Sequence, residues 1–186
     1  MAINANDVRK GMAIKYNTDV CIVLETTHRT PGNLRAFVQA TLRSLKTGKS
    51  SDVRFGSNEK VETVDVQRAK YEFSYKDGDA FVFTEPTSFE TITLQPSLVG
   101  DAKNYLTDNQ NCDITFVEGI PAVVELPSTV TLKVTESADG VKGDSANNVM
   151  KPAVLETGIT INVPLFIKEG ESIKVDTRTG DYMSRA

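Results

Sequence analysis

Short polar turns, many carrying a glycine, punctuate this chain from end to end. They fall at Asn17-Thr18-Asp19, Pro31-Gly32, Leu45–Ser50 around Gly48, Lys76–Asp79 around Gly78, Glu118-Gly119, Gly158, Glu169-Gly170-Glu171 and Arg178-Thr179-Gly180. The stretches between them are rich in β-branched and aromatic residues and alternate apolar with polar. Ala36, Val38, Ala40 and Leu42 share one face, and Val130-Thr131-Leu132-Lys133-Val134 repeats the pattern. A period of two is the mark of a strand with one buried side. Asp77-Gly78 accepts the positive φ angles of a tight hairpin turn. These features predict a mainly β chain. One helical period stands out: Leu98, Val99, Ala102, Tyr105 and Leu106 recur at helical spacing after Gln95-Pro96, with Ser97 as the expected N-cap.

A length of 186 residues by itself favours one or two domains. The turn pattern subdivides the chain further, into 1–64, 65–128 and 129–186, with short linkers near Glu62–Asp65 and at Leu126–Thr129, where Pro127-Ser128 breaks the strand pattern. The first segment reads as a small β-barrel, the second as a Greek-key barrel of the oligonucleotide-binding type with one helix, and the third as five strand-like runs closing another small barrel. Charge is distributed unevenly among them. Residues 1–63 carry ten Lys/Arg against six Asp/Glu, residues 64–128 four against eleven, and residues 129–186 seven against eight. A basic module joined to an acidic one suggests that the N-terminal part faces a polyanion, while the middle part faces solvent or a basic protein. The aromatic residues of the middle segment, such as Tyr71, Phe73, Tyr75, Phe81 and Phe83, are expected in its core, because so acidic a module matches a phosphate backbone poorly.

The run His28–Phe37 reads as the tip of a long hairpin. Strand-like Val20–Thr27 leads in, Ala36–Arg43 leads out, and Pro31-Gly32 forces the turn. Arg29 and Arg35 flank the turn, with Asn33 and Leu34 at its apex. From these residues alone the tip is either a solvated loop or a probe reaching toward an anionic cavity. Catalytic and metal chemistry find little support. His28 is the single histidine, and Cys21 and Cys112 lie apart in strand-like runs, so they are expected as buried free thiols and not as a disulfide or a zinc site. No acid neighbours His28 to build a Ser-His-Asp triad. Gly140–Gly143 lacks the Gly-Lys-Ser/Thr ending of a phosphate loop, and Asp176–Tyr182 lacks the terminal Glu of a calcium loop. No apolar run approaches the ~20 residues of a membrane span. The first residues carry no basic or apolar leader, from which a cytoplasmic location is expected.

Several motifs together resemble the bacterial translation elongation factor P family over essentially the whole chain. The most specific is Gly158–Arg185, GITINVPLFIKEGESIKVDTRTGDYMSR, preceded by Lys151-Pro152-Ala153. Val141–Ser145 (VKGDS), Leu45–Gly48 (LKTG) and the Pro-Gly-x-x-x-Ala-Phe of Pro31–Phe37 support it. The resemblance implies three consecutive β-barrel domains, an SH3/KOW-like barrel followed by two OB-type barrels, in an L that resembles tRNA in outline. It implies a cytoplasmic monomer with no cofactor, no metal and no membrane partner. Such a protein is no enzyme itself. It binds the bacterial ribosome, both RNA and proteins, beside the peptidyl-tRNA and promotes peptide-bond formation at consecutive prolines.

The resemblance also nominates residues. Arg29, Pro31, Gly32, Asn33, Leu34 and Arg35 form the tip that would reach the acceptor end of the peptidyl-tRNA. Lys142, Gly143, Asp144 and Ser145 match the loop that approaches the small subunit, and Tyr182 and Arg185 fall in the C-terminal signature. Many family members carry a lysine directly after Pro-Gly that is extended by modification, and another branch carries a glycosylated arginine. Here that position is Asn33, which has neither an amine nor a guanidinium, so none of those modifications is expected. Rival readings are a generic RNA-binding β-barrel, which would not require the C-terminal signature, a divergent paralogue of the factor that the chain resembles, and an enzyme or carbohydrate-binding module, for which the sequence holds no catalytic cluster.

Overall fold

The computed structural model describes residues 1–30, 32, 36–137 and 150–186. The described residues form three sheets. The first contains β1 (Ala2–Asn4), β2 (Ala13–Tyr16), β3 (Asp19–Arg29), β4 (Phe37–Ser44), β5 (Ser50–Gly56) and β6 (Lys60–Val64), in the order β1-β6-β2-β3-β4-β5, with a 3-10 turn at Ala5–Asp7 after β1. The inward row of β4, namely Val38, Ala40 and Leu42, meets Val53 and Phe55 of β5 and Ile14, Cys21, Val23 and Val61 in one core. Strand β3 departs from simple alternation for a physical reason. Cys21 and Val23 face that core, while Ile22, with Val20 and Leu24, joins a second cluster containing Ala13, Val117 and Ala122. A strand covered on both faces reads as a continuous apolar run. Arg43 of β4 donates a guanidinium hydrogen bond to the Ala122 carbonyl, and its half-buried position pulls its pKa down.

The second sheet contains β7 (Val66–Asp77), β8 (Ala80–Thr84), β9 (Thr91–Leu94), β10 (Asn111–Val117) and β11 (Ile120–Glu125), ordered β11-β10-β7-β8-β9. Phe73 packs tilted against Phe81 and edge-on to Phe83, with ring centroids 6.0 and 5.7 Å apart. The expectation of core aromatics holds for these and for Tyr71, and is corrected for Tyr75, which is 57% exposed, and Phe89, which is 76% exposed. The pairing runs Phe73↔Phe83 and then Tyr75↔Val82, so Ser74 is an extra residue and turns Tyr75 to the outer face. Phe89 sits in a turn at φ +60°.

The helix is also corrected. An α-helix α1 spans only Pro96–Val99, followed by a 3-10 segment at Gly100–Asn104. Its N-cap is Gln95, not Ser97, and makes no side-chain capping bond. Proline at the first position starts the helix two residues earlier than expected, and Gly100 ends it at φ +59°.

The third sheet contains β12 (Thr129–Ser137), β13 (Met150–Leu155), β14 (Thr160–Pro164), β15 (Ser172–Asp176) and β16 (Tyr182–Arg185), ordered β14-β13-β12-β15-β16. Val130, Leu132, Val134, Ala153, Leu155, Val163, Ile167, Ile173 and Val175 form its core, against which Tyr105 packs. The chain divides into two compact units, one made of residues 1–69 with 114–123, the other of 70–113 with 124–186. Each holds one cysteine, buried and free as the sequence suggested. Burial raises the Cys21 pKa and pushes Cys112 up to about 12.

Candidate functional site

Strand β3 has eleven residues and β4 eight, and they pair antiparallel out to Thr27↔Gln39, His28↔Val38 and Arg29↔Phe37. Two features make this a firm stem. Leu24 is an extra residue between the Val23↔Leu42 and Glu25↔Thr41 pairs, and such a bulge adds local twist. Strand β5 continues the pairing on the other side of β4, up to Val38↔Phe55 and Phe37↔Gly56. Beyond the bulge, Thr27, His28, Arg29 and Thr30 are exposed. The return strand is anchored where it leaves the loop: the Ser57 N–H donates to the Ala36 carbonyl at 3.3 Å. Glu59 accepts from the Gly56 N–H at 3.0 Å and closes the next turn.

Of the residues nominated at the tip, Arg29 ends β3, and Gly32 sits in a turn where an added Cβ would meet nothing within 4 Å. Pro31, Asn33, Leu34 and Arg35 lie outside the described residues, as do Lys142, Gly143, Asp144 and Ser145. Tyr182 and Arg185 share β16, and the fold itself engages both. Tyr182 is half-buried against the core of the third sheet. Arg185 lies 3.4 Å from a Glu171 carboxylate oxygen, donates to the Phe166 carbonyl at 3.3 Å, and sits 4.9 Å from the centre of the Phe166 ring.

The signature run around these two residues is largely a scaffold. Gly158, Gly170 and Gly180 occupy positive-φ turns, and Ile167, Ile173 and Val175 are completely buried. In the turn after β15, Asp176 accepts three hydrogen bonds from Arg178, which hold its carboxyl well below the usual range, at about 2.

One residue escaped the sequence reading. Arg54 of β5 lays its guanidinium over the Phe37 ring, 3.6 Å from the centroid. Nothing local marks it, because the contact depends on the β4–β5 register. Basic side chains elsewhere are divided in their use. Lys15 is paired with Glu62 at 2.7 Å, and that partner raises the lysine pKa and lowers the carboxyl. Arg9 caps the Asn6 and Val8 carbonyls at 2.7 and 3.0 Å. Lys10, Lys46, Lys49 and Lys60 are exposed. Among the described residues no group of three or more His, Cys, Asp or Glu is placed to hold a metal ion, and no helix is long and apolar enough to cross a membrane.

Three family profiles match in succession: "Elongation factor P (EF-P) KOW-like domain" over residues 4–61, "Elongation factor P (EF-P) OB domain" over 66–124, and "Elongation factor P, C-terminal" over 130–185. Relatives match from end to end. The elongation factor P of Acidobacterium capsulatum is 47% identical over 186 residues, covering 100% of both chains. That of Symbiobacterium thermophilum is 45% identical over 184 residues, covering 99% of this chain and 100% of its own. That of Chloroflexus aggregans is 43% identical over 182 residues, covering 97% and 96%. With a KOW-like and an OB-type domain followed by the family's C-terminal region, and with relatives 43–47% identical over nearly the whole chain, this chain belongs to the elongation factor P family.

Proposed function

We propose that this translation elongation factor binds the ribosome with its β3–β4 hairpin directed at the peptidyl-tRNA, and that it speeds peptide-bond formation at consecutive prolines by positioning the substrate. The observation that carries the reading is the hairpin itself: a stem paired out to Arg29↔Phe37, exposed on its last residues, in the part of the chain richest in basic side chains. Proline is a hindered secondary amine as the attacking group, and the strained nascent chain seldom presents its ester carbonyl in a pose open to attack. A ligand that holds the donor end in place lowers the entropic part of that barrier without a general acid or base of its own. The loop works with Asn33 unmodified, through backbone groups, the Asn amide and the flanking Arg29 and Arg35. Lys142–Ser145 contact the small subunit.

The test is a reconstituted translation assay with unmodified recombinant protein and two messages, one encoding consecutive prolines and one without them. The factor should accelerate only the proline message, and Arg29→Ala should need more protein to reach the same rate. Ribosome binding with no acceleration of either message would reduce the protein to a generic RNA-binding barrel.

A further inference from the structure

We infer that Arg54 is a phosphate contact of the hairpin face, held flat by Phe37 so that its fork is ready for one backbone phosphate of RNA. The inference rests on the RNA-facing reading of the hairpin given above.

The strand period fixes which side chains share the outward face. Val53 and Phe55 of β5 and Val38 and Ala40 of β4 point into the core, so Arg54, Gly56, Phe37 and Gln39 point out. Residues directly paired share a face, and Arg29 is paired with Phe37, so it belongs to the same outward row. In register, Phe37 faces Gly56 and Gln39 faces Arg54. Gly56 offers no side chain to cover the ring beside it. Arg54, one diagonal step away, fills that space and stacks at 3.6 Å from the ring centroid.

Stacking occupies one face of the guanidinium and leaves its in-plane N–H groups at the rim. Among the described residues no carboxylate lies within ion-pair distance of Arg54 and no protein acceptor takes its hydrogen bonds. Arg43, Arg178 and Arg185, by contrast, spend theirs on the Ala122 carbonyl, Asp176 and Glu171. A planar fork with free donors fits two oxygens of a phosphate at once. Because the ring already restrains the side chain, less rotamer freedom is lost on binding. One face of Phe37 is taken by Arg54, which argues against the ring as a stacking platform for a base. Arg29 in the same row adds a second positive charge beside the same stretch of backbone.

The experiment is equilibrium binding of the full-length protein to ribosomes carrying peptidyl-tRNA, over roughly 50 to 200 mM salt, with wild type, Arg54→Ala, Arg54→Lys and Phe37→Leu. Thermal midpoints are measured in parallel. Loss of one phosphate contact should flatten the plot of log affinity against log salt by about 0.7 to 0.9 in Arg54→Ala, with affinity roughly tenfold lower at the low-salt end. Arg54→Lys should keep the wild-type slope and recover part of the affinity. Phe37→Leu should keep the slope and lose affinity severalfold, because the charge remains and the platform is gone. If Phe37→Leu unfolds, the alanine and lysine variants carry the test alone. An unchanged slope in Arg54→Ala overturns the inference, whether affinity is unchanged, as for a solvated arginine, or reduced, as for a brace of the stem or a contact to a protein carboxylate. Wild-type protein that fails to bind ribosomes at any salt overturns the functional reading and this inference with it. Wild-type binding with an unaltered Arg54→Ala slope overturns this inference alone.

Discussion

Asp176 shows how a charged side chain can be consumed by its own turn. Its carboxylate takes the Arg178 backbone N–H at 2.8 Å, Nε at 3.1 Å and Nη2 at 2.7 Å. The side-chain hydrogen bonds to Arg178 are the largest cause of a pKa lowered from 3.8 to about 2. A carboxyl whose folded pKa is depressed contributes stability that is fully present above its unfolded pKa and is lost as pH falls through its folded one. The window here runs from about pH 4 down to about pH 2. Arg178 is 74% exposed, so solvent screening keeps the effect small. We predict that wild type melts above Arg178→Ala at neutral pH, and that the gap closes between pH 4 and pH 2. A gap of constant size across that range would show that Arg178 acts through something other than the Asp176 carboxylate. Arg54 sits at the other extreme, with its charge free among the described residues, and the sequence alone does not distinguish the two kinds of arginine.

At the scale of elements, the turn that leads into β16 has little room for a side chain beside Tyr105. Gly180 lies in the turn before β16 at φ +79°, and a Cβ built there would sit 3.1 Å from the Tyr105 hydroxyl. We predict that Gly180→Ala lowers stability by about 1 kcal/mol or more in a urea titration, since alanine at positive φ is strained. Adding Tyr105→Phe should recover only the part due to the hydroxyl. A Gly180→Ala protein with wild-type stability would mean that the turn relaxes to another conformation at no cost. Turns of this kind were legible in the sequence, as were the strands between them, because Gly, Asp and Pro mark them locally. The hairpin stem was legible for the same reason, and the two buried thiols because each lies inside a strand-like run with no ligand or pairing motif around it. Three things were not. The extra residues at Leu24 and Ser74 carry no local signature, and Ser74 is what sends Tyr75 outward. The helical period from Leu98 to Leu106 was real, but Gly100 cut it into an α turn and a 3-10 turn. The Arg54–Phe37 stack depends on cross-strand register, which no single strand encodes.

Over the whole molecule, the two compact units do not follow chain order. Residues 114–123 group with the first 69 residues, and their Val117 and Ala122 cover the outer face of β2 and β3 at Ala13 and Ile22. The Ala122 carbonyl also receives the Arg43 guanidinium. A fragment ending at residue 64 therefore leaves an apolar face bare and a half-buried cation without its acceptor. We predict that residues 1–64 alone melt at lower temperature and bind a hydrophobic dye more strongly than residues 1–128, which keep that cover. Equal melting and equal dye binding would show that the cluster around Ile22 contributes nothing to holding the first sheet together.

The two cysteines turn this division into a record that can be read chemically. Only a thiolate attacks an alkylating reagent, and burial keeps both sulfurs protonated and out of reach. Cys21 belongs to one unit and Cys112 to the other, and the sequence has no third. Each modified sulfur therefore marks local opening of the strand that buries it. Peptide masses taken over time tell which of the two strands, one around Cys21 and one around Cys112, exposes its thiol first.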